Sequence, residues 1–323
     1  MAVTAPGSAA PITPARQKVG SDPLQWWRFG RTEDTRLPRR PFKKWWRETG
    51  WRHLVGAAVV VFSVFPLVYV LSASLNPGGT LISANSLFSS ISLGSYVELF
   101  NRPQQPYAAW FLNTLVIGLT ASAGSVLLGA LAAYAFSRMR FTGRRVGLIT
   151  LVLVQMFPQL LAMVAIFLLM MGISEVFPAI GLNSQIGLIM VYLGGALGVN
   201  TYLMYGFFNT VPTSIDEAAH IDGAGHARIF FTIILPLVSP ILAVVALLSL
   251  VATLSEFVIA SVLLRDPERQ TLAVGLFQFI SQETSQNWSV FAAGAVLAAL
   301  IPVALFLLLQ RYIVSGLTAG SVK

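Results

Sequence analysis

Residues able to carry chemistry are few in this chain, and their scarcity is the first constraint on what it does. Of its 323 residues none is cysteine and three are histidine, His53, His220 and His226. Without thiols there is no disulfide, thiolate metal site, iron–sulfur cluster or cysteine nucleophile. No two histidines share an apolar stretch, so neither a metal site nor a haem site is expected. No GxxxxGK[ST] phosphate loop occurs, so the chain is not expected to bind ATP itself. One acid stands apart: Glu256 is the only ionisable side chain well inside a long apolar run. A carboxylate at mid-bilayer costs roughly 2.5–3.5 kcal/mol on insertion scales, so it should face protein or water. It either lines a path or meets another subunit, or it is hydrogen-bonded to nearby hydroxyls such as Ser255 or Thr253; both readings stay open. A lone acid without a basic partner is poor equipment for an ion-coupled transporter, so active transport would need energy from a separate ATPase.

The elements that must hold these residues are membrane spans. The composition is 55% hydrophobic and 11% charged, against about 25% charged for a soluble domain. Apolar runs long enough to cross a bilayer recur at about 54–75, 109–136, 146–171, 185–207, 237–264 and 289–313. The expected fold is therefore all-α, a polytopic membrane protein of about six transmembrane helices. Prolines 66, 158, 240 and 302 fall inside these runs and read as kinks. The spacings Ser125–Gly129 and Gly194–Gly198 predict close helix–helix approach.

Charge sets the orientation. The net charge is +8, and eleven of the 21 Lys and Arg residues precede residue 54, interleaved with tryptophans 26, 27, 45 and 46. Such a segment suits an anionic membrane surface, and no nucleic-acid motif accompanies it. With both termini in the cytoplasm, 18 Lys and Arg lie inside and three (Arg102, Arg265, Arg269) outside, a clear positive-inside bias. Residues 1–50 read as a basic, Trp-rich cytoplasmic extension, largely disordered or interfacial, and 51–323 as the transmembrane domain. No cleaved signal peptide is expected.

The least membrane-like part of that domain joins the fourth and fifth spans, from Pro212 to Ala224. Ser214 followed by Glu217 has the spacing of a capping box, and Asp216 and Glu217 suit the positive end of a helix dipole. Gly223 is placed to end that helix in a left-handed turn, after which a second short helix starts near Gly225. The pattern predicts two short helices at an angle, at about 212–232, beneath the membrane.

Glu217-Ala218-Ala219, Asp222-Gly223-Ala224 and Leu235-Pro236 resemble the EAA signature of binding-protein-dependent ABC-importer permeases. Stretches at 134–141, 155–158, 180–183, 192–195, 263–266, 271–275 and 316–320 further resemble permeases of the maltose/maltodextrin type, the smaller of the two permease subunits. The similarity covers about 51–323. It implies the type I ABC-importer permease fold in the inner membrane and a partnership with a second permease. Two copies of a cytosolic ATP-binding subunit and an extracytoplasmic sugar-binding protein would complete the assembly. ATP and Mg would be used by the ATPase, with no cofactor on this chain and no enzyme activity in it alone. Maltose, maltodextrin or a related α-glucoside is the implied cargo.

The resemblance also implies roles for particular residues. Glu217, Ala218, Ala219, Asp222, Gly223 and Ala224 would dock on the ATPase as coupling helices, small side chains letting the helix seat deeply. The tail Gly316, Leu317, Thr318, Ala319 and Gly320 would reach the ATPase interface. Gln282, Glu283, Gln286, Asn287 and Trp288 would form a loop facing the binding protein. The rival reading is a secondary transporter or channel that works without an ATPase.

Overall fold

A computed structural model describes residues 42–78, 87–195, 197–280 and 287–319. Among them every regular element is helical. The chain divides into two compact units, Met1–Val61 and Phe62–Lys323.

In the first unit a helical turn, Phe42–Trp45, and a wide turn, Trp46–Gly50, lead into helix α1, Trp51–Ser74, which continues past the division. Trp45 stacks on His53 at 6.0 Å between ring centroids, which accounts for one of the three histidines. The Arg52 guanidinium lies 5.8 Å from the Trp51 ring. Charged heads among exposed tryptophans are the arrangement of a helix end at a membrane–water boundary.

The second unit is built around one long helix. After the short α2, Gly94–Phe100, comes α3, Tyr107–Arg138. Its inward face is lined by small residues, among them Ala121, Ser122, Ser125, Gly129, Ala130 and Ala133, all buried. With no bulk there, neighbouring backbones approach closely, and Ser122 Oγ donates to the carbonyl of Ala246 at 2.8 Å. Then follow α4, Arg144–Gln155, and α5, Gln159–Val176, then α6, Gln185–Gly194, and α7, Val199–Phe208. Next come α8, Thr213–Ile221, and, after a bent segment, α9, Ser239–Ser255. The chain ends with α10, Val258–Leu263, α11, Leu272–Ile280, and α12, Trp288–Ala319.

Two apolar clusters sit at opposite ends of α3. One gathers Tyr134, Met204, Phe208, Ile229, Phe230 and Ile234; the other gathers Leu99, Tyr107, Trp110, Leu276, Phe279 and Val290. From Trp110 to Tyr134 along a helix is roughly 36 Å, a little more than a bilayer's hydrocarbon core. A third cluster, Ile117, Met170, Leu188, Ile259, Leu263 and Val274, closes the unit between them. Large apolar side chains on α1, α4 and α5 (Val61, Phe62, Val146, Leu153, Leu161, Val164) stand exposed. Apolar exposure on that scale belongs against lipid or a second membrane subunit.

The spans differ from expectation in their continuity. Among the described residues, by length and composition three helices can cross a membrane, Trp46–Ser74, Tyr107–Arg138 and Trp288–Arg311, or up to five if each of two bent pairs is one span. The expected six is not reached on that measure. The run 146–171 is two helices parted at residues 156–158, and 185–207 is parted at 195–198 with a bend of 54°. The run 237–264 is parted at Glu256 and Phe257. Pro66 and Pro302 lie inside helices, as expected of kinks. Pro158 and Pro240 instead stand where α5 and α9 begin, because a residue without an N–H is best placed where no helical donor is required. Gly129 packs against Met204, bearing out one small-residue pair. The other pair, Gly194 and Gly198, flanks the break between α6 and α7 instead of forming a helix contact.

Candidate functional site

The candidate site is the elbow between α7 and α9. Pro212 precedes α8 and no side chain caps it. The expected capping box is not formed: Ser214 lies within the first turn and is exposed, as is Glu217. Asp216 explains the difference. Its side chain turns inward to Arg138, the last residue of α3, with Nε and Oδ2 2.9 Å apart and both side chains largely buried (8% and 12% exposed). The N–H is not aimed along the contact, so this is an ion pair by distance without a hydrogen bond. Arg138 Nη2 donates to the carbonyl of Val211 at 2.8 Å. One guanidinium thus holds both the approach to α8 and its first turn against the end of the central helix.

The far end of α8 closes in a Schellman turn. Gly223 has φ +81, a region that favours glycine because a β-carbon is strained there. The Gly223 N–H donates to the carbonyl of His220 at 3.0 Å and the Ala224 N–H to that of Ala219 at 2.9 Å, the two bonds that define the motif. Its usual apolar contact is present too: Ala219 is buried in the cluster that Ala224 packs against. The second helix begins after Gly225, as expected, with His226–Arg228, then the wide turn Ile229–Ile234 and Leu235–Leu237. Ile229, Phe230 and Ile234 are buried, and the Phe230 ring meets Tyr134 of α3 at 5.1 Å. The segment His226–Leu237 makes an angle of 80° with α9.

The exposed edge of this elbow carries Glu217, Ala218, Asp222 and Gly223. Ala219 of the expected docking set points into the core and Ala224 is half-buried. Ile221 is 86% exposed at the tip. An isoleucine stripped of cover at the end of a short helix is costly in water and well suited to a pocket on a partner. His220 and His226 meet edge to face across the turn at 4.8 Å. Sequence reasoning missed both Arg138 and Ile221. Ile221 could have been found from its place between the alanines and the turn, whereas Arg138 is brought in only by tertiary packing.

The other expected site residues are placed as follows. Gln282, Glu283, Gln286 and Gly320 lie outside the described residues. Asn287 Oδ1 accepts from Arg102 Nη2 at 2.7 Å, and Trp288 begins α12, packing beside Ala73 and Ala292. Arg102 is a further residue missed: it also donates to Gln105, pairs with Glu98 and lies 5.5 Å from the Phe279 ring, tying α2 to α11 and the start of α12. Gly316, Leu317, Thr318 and Ala319 form the last turn of α12. Glu256 ends α9. Its carboxylate accepts from the Tyr192 hydroxyl at 2.6 Å and from the backbone N–H groups of Ile259 at 2.7 Å and Ala260 at 3.0 Å. The hydroxyl at Glu256 is therefore Tyr192's, from α6, rather than that of Ser255 or Thr253, and the acid caps α10 where its span is parted. Among the described residues no three His, Asp or Glu side chains converge as a metal site would require.

Comparison with known proteins agrees with this architecture. Residues 125–318 match the family described as "Binding-protein-dependent transport system inner membrane component". The chain is 42% identical over 272 residues to the galactooligosaccharides transport system permease protein GanQ of Bacillus subtilis, covering 84% of this chain and 94% of that one. It is 43% identical over 260 residues to the maltodextrin transport system permease protein MdxG of the same organism, covering 80% and 91%. Against the maltose/maltodextrin transport system permease protein MalG of Escherichia coli K12 it is 39% identical over 281 residues, covering 84% and 94%. Among solved structures, a chain of a bacterial ABC transporter involved in the import of the acidic polysaccharide alginate superposes with a TM-score of 0.67 at 23% identity, covering 83% of this chain and 97% of that one. That likeness concerns the fold. The chain belongs to the family of binding-protein-dependent transport system inner membrane components: it is a multi-pass permease subunit of an ABC transporter, and not an enzyme.

Proposed function

We propose that this chain is one permease of an ATP-driven oligosaccharide importer and that the elbow at 212–232 is where it couples to a cytosolic ATPase. The observation that carries the reading is the construction of the elbow. A short helix is pinned at its start by Arg138, closed at its end by Gly223, and presents Glu217, Ala218, Ile221 and Asp222 outward. Buried Phe230 and Arg138 connect it to α3. A push on the exposed edge is therefore delivered to the central span.

In this reading a second permease covers part of the exposed apolar surface. Two ATP-binding subunits with ATP and Mg supply the energy, and an extracytoplasmic sugar-binding protein delivers the cargo. Both termini lie in the cytoplasm, residues 1–50 are a basic, Trp-rich extension whose charge suits the inner leaflet, and 51–323 form the permease domain. The segment 316–320 reaches the ATPase interface, and the loop ending at Asn287 and Trp288 faces the binding protein. Relatives named for maltodextrin and for galactooligosaccharides match at 43% and 42% identity. Maltose, maltodextrin and related α-glucosides are the first cargoes to test, with galactooligosaccharides as the second.

The test is affinity purification of the tagged full-length chain in mild detergent, followed by mass spectrometry. A P-loop ATPase in about twofold excess over the chain and one other polytopic protein are expected. Recovery of the chain alone, still moving sugar into vesicles without ATP, would replace this reading with a secondary transporter. The same purification on Ile221→Asp is expected to lose most of the ATPase while keeping the second permease. A charged group at a desolvated interface centre is worth about 2 kcal/mol or more, upward of tenfold in retention. Undiminished ATPase recovery would remove Ile221 from the docking face.

A further inference from the structure

Three of the expected spans are parted, and the partings are joined to one another by side chains. Gln155 is the last residue of α4, immediately before the first parting. Its Nε2 donates to the carbonyl of Gly195 at 2.5 Å, and its Oε1 accepts from the Val199 N–H at 2.7 Å. Those are backbone groups on the two sides of the parting between α6 and α7. The fit is close: a β-carbon on Gly198 would fall 2.0 Å from Gln155 Cδ. One side chain from the third span therefore stands in for helical bonds missing from the fourth. From the opposite side of that parting, Tyr192 donates to Glu256, which caps α10 across the parting in the fifth span. Asn200 Nδ2, just past the same parting, donates to Ser249 Oγ of α9 at 3.1 Å.

In hydrocarbon, backbone groups freed at a parted helix must be satisfied from within the protein. Local satisfaction, by a neighbouring Ser or Thr of the same span, would leave each parting independent. Here the fourth span's parting takes its partner from the third, Gln155, and the acid that caps the fifth span's parting is itself held by Tyr192 of the fourth. We propose that Gln155 and the Tyr192–Glu256 pair are positioning residues that lock the three partings into one unit, so that none rearranges without the others. The chain's lone intramembrane acid is then a mechanical link, not an ion-binding or proton-carrying group. The lock rests on the reading of this chain as a permease whose spans move, but its test does not depend on an ATPase.

The sequence has no cysteine, so Gly194→Cys introduces a single thiol between Tyr192 and Gly195. A β-carbon at Gly194 meets nothing within 4 Å. In native membranes the rate at which this thiol reacts with a small maleimide reports how open the fourth span's parting is. Tyr192→Phe and Gln155→Leu, made separately on this background, are each expected to raise the rate at least about fivefold. The double variant should stay within about twofold of the faster single, because either change releases the same unit. A double variant whose rise is the product of the two single rises, or single variants with unchanged rates, overturns the lock. Glu256→Gln keeps, at the Oε2 position, an oxygen for Tyr192 and Ala260 and loses the acceptor for Ile259. It should give a smaller rise than Glu256→Leu; equal rises would mean that charge, and not the bridging geometry, is what matters. Sugar-stimulated ATP hydrolysis of the wild-type assembly is the separate measurement that judges the functional reading.

Discussion

Asp216→Ala should leave the protein in the membrane and abolish sugar-stimulated ATP hydrolysis by the assembly. The substitution strips the carboxylate from a guanidinium that is 8% exposed and fixed at the end of α3. Removing one member of a buried ion pair costs about 3–5 kcal/mol, because the remaining charge stays buried without its partner. Local rearrangement relieves that cost most readily where packing is least, at the start of α8, whose cap position has no side-chain bond. The approach to α8 would swing away from α3 and the elbow would no longer deliver force. Replacing both partners with apolar residues of similar size, Arg138→Met with Asp216→Leu, is expected to recover part of the stimulation, since no charge is then left unpaired. A double variant no better than the worse single would show that the charge itself is read by the ATPase. Unchanged stimulation in Asp216→Ala would remove the pair from the coupling path. Protein abundance in membranes, measured beside hydrolysis, separates a coupling defect from degradation.

What was legible in the sequence was what local rules determine. Apolar runs showed where helices and membrane lie, and Gly223 showed where α8 ends, because a left-handed turn two residues beyond the last helical residue is a property of neighbouring residues. The start of α8 was misread for the complementary reason. Ser214 and Glu217 have the spacing of a capping box, but Arg138, from a different helix, draws Asp216 inward and shifts the start of the helix. The partings of the third, fourth and fifth spans were illegible because apolar composition continues through them. Gln155 satisfies backbone groups at the fourth span's parting and Glu256 those at the fifth's, contacts that composition does not announce. Asn183 makes the same point at the other end of the unit. It lies in one stretch noted for family resemblance and Leu263 to Asp266 in another, and nothing in either predicts that they meet. In the structure Asn183, at φ 58, donates its N–H to the carbonyl of Leu263 at 2.8 Å. Its side-chain oxygen accepts from the N–H groups of Arg265 at 3.2 Å and Asp266 at 3.1 Å. Motif resemblance identified both ends of that contact without revealing the contact.

Gly223→Pro is expected to give a loss as complete as that of Asp216→Ala, and three independent effects act in the same direction. Proline fixes φ near −65°, whereas Gly223 sits at +81. Proline has no N–H, so the bond from Gly223 to the His220 carbonyl is lost. Asp222, with φ −75 and ψ 5, occupies a conformation that a following proline disfavours. The Schellman turn cannot form, and the chain from α8 to His226 must leave by another route. That displaces Ile221 and Asp222 from the edge set by Arg138. None of these residues lies within a span, so insertion and pairing with the second permease should persist while sugar-stimulated hydrolysis falls to the basal rate. Gly223→Ala isolates the first effect, because alanine keeps the N–H and does not restrict Asp222. A β-carbon in the left-handed region costs about 1–2 kcal/mol, so alanine should retain measurable stimulation, reduced by about five- to thirtyfold. A wild-type rate in Gly223→Pro would mean that this turn takes no part in coupling. Equal loss in alanine and proline would mean that the partner needs glycine's bare surface rather than its conformation, and would move Gly223 from the elbow's skeleton to its docking face.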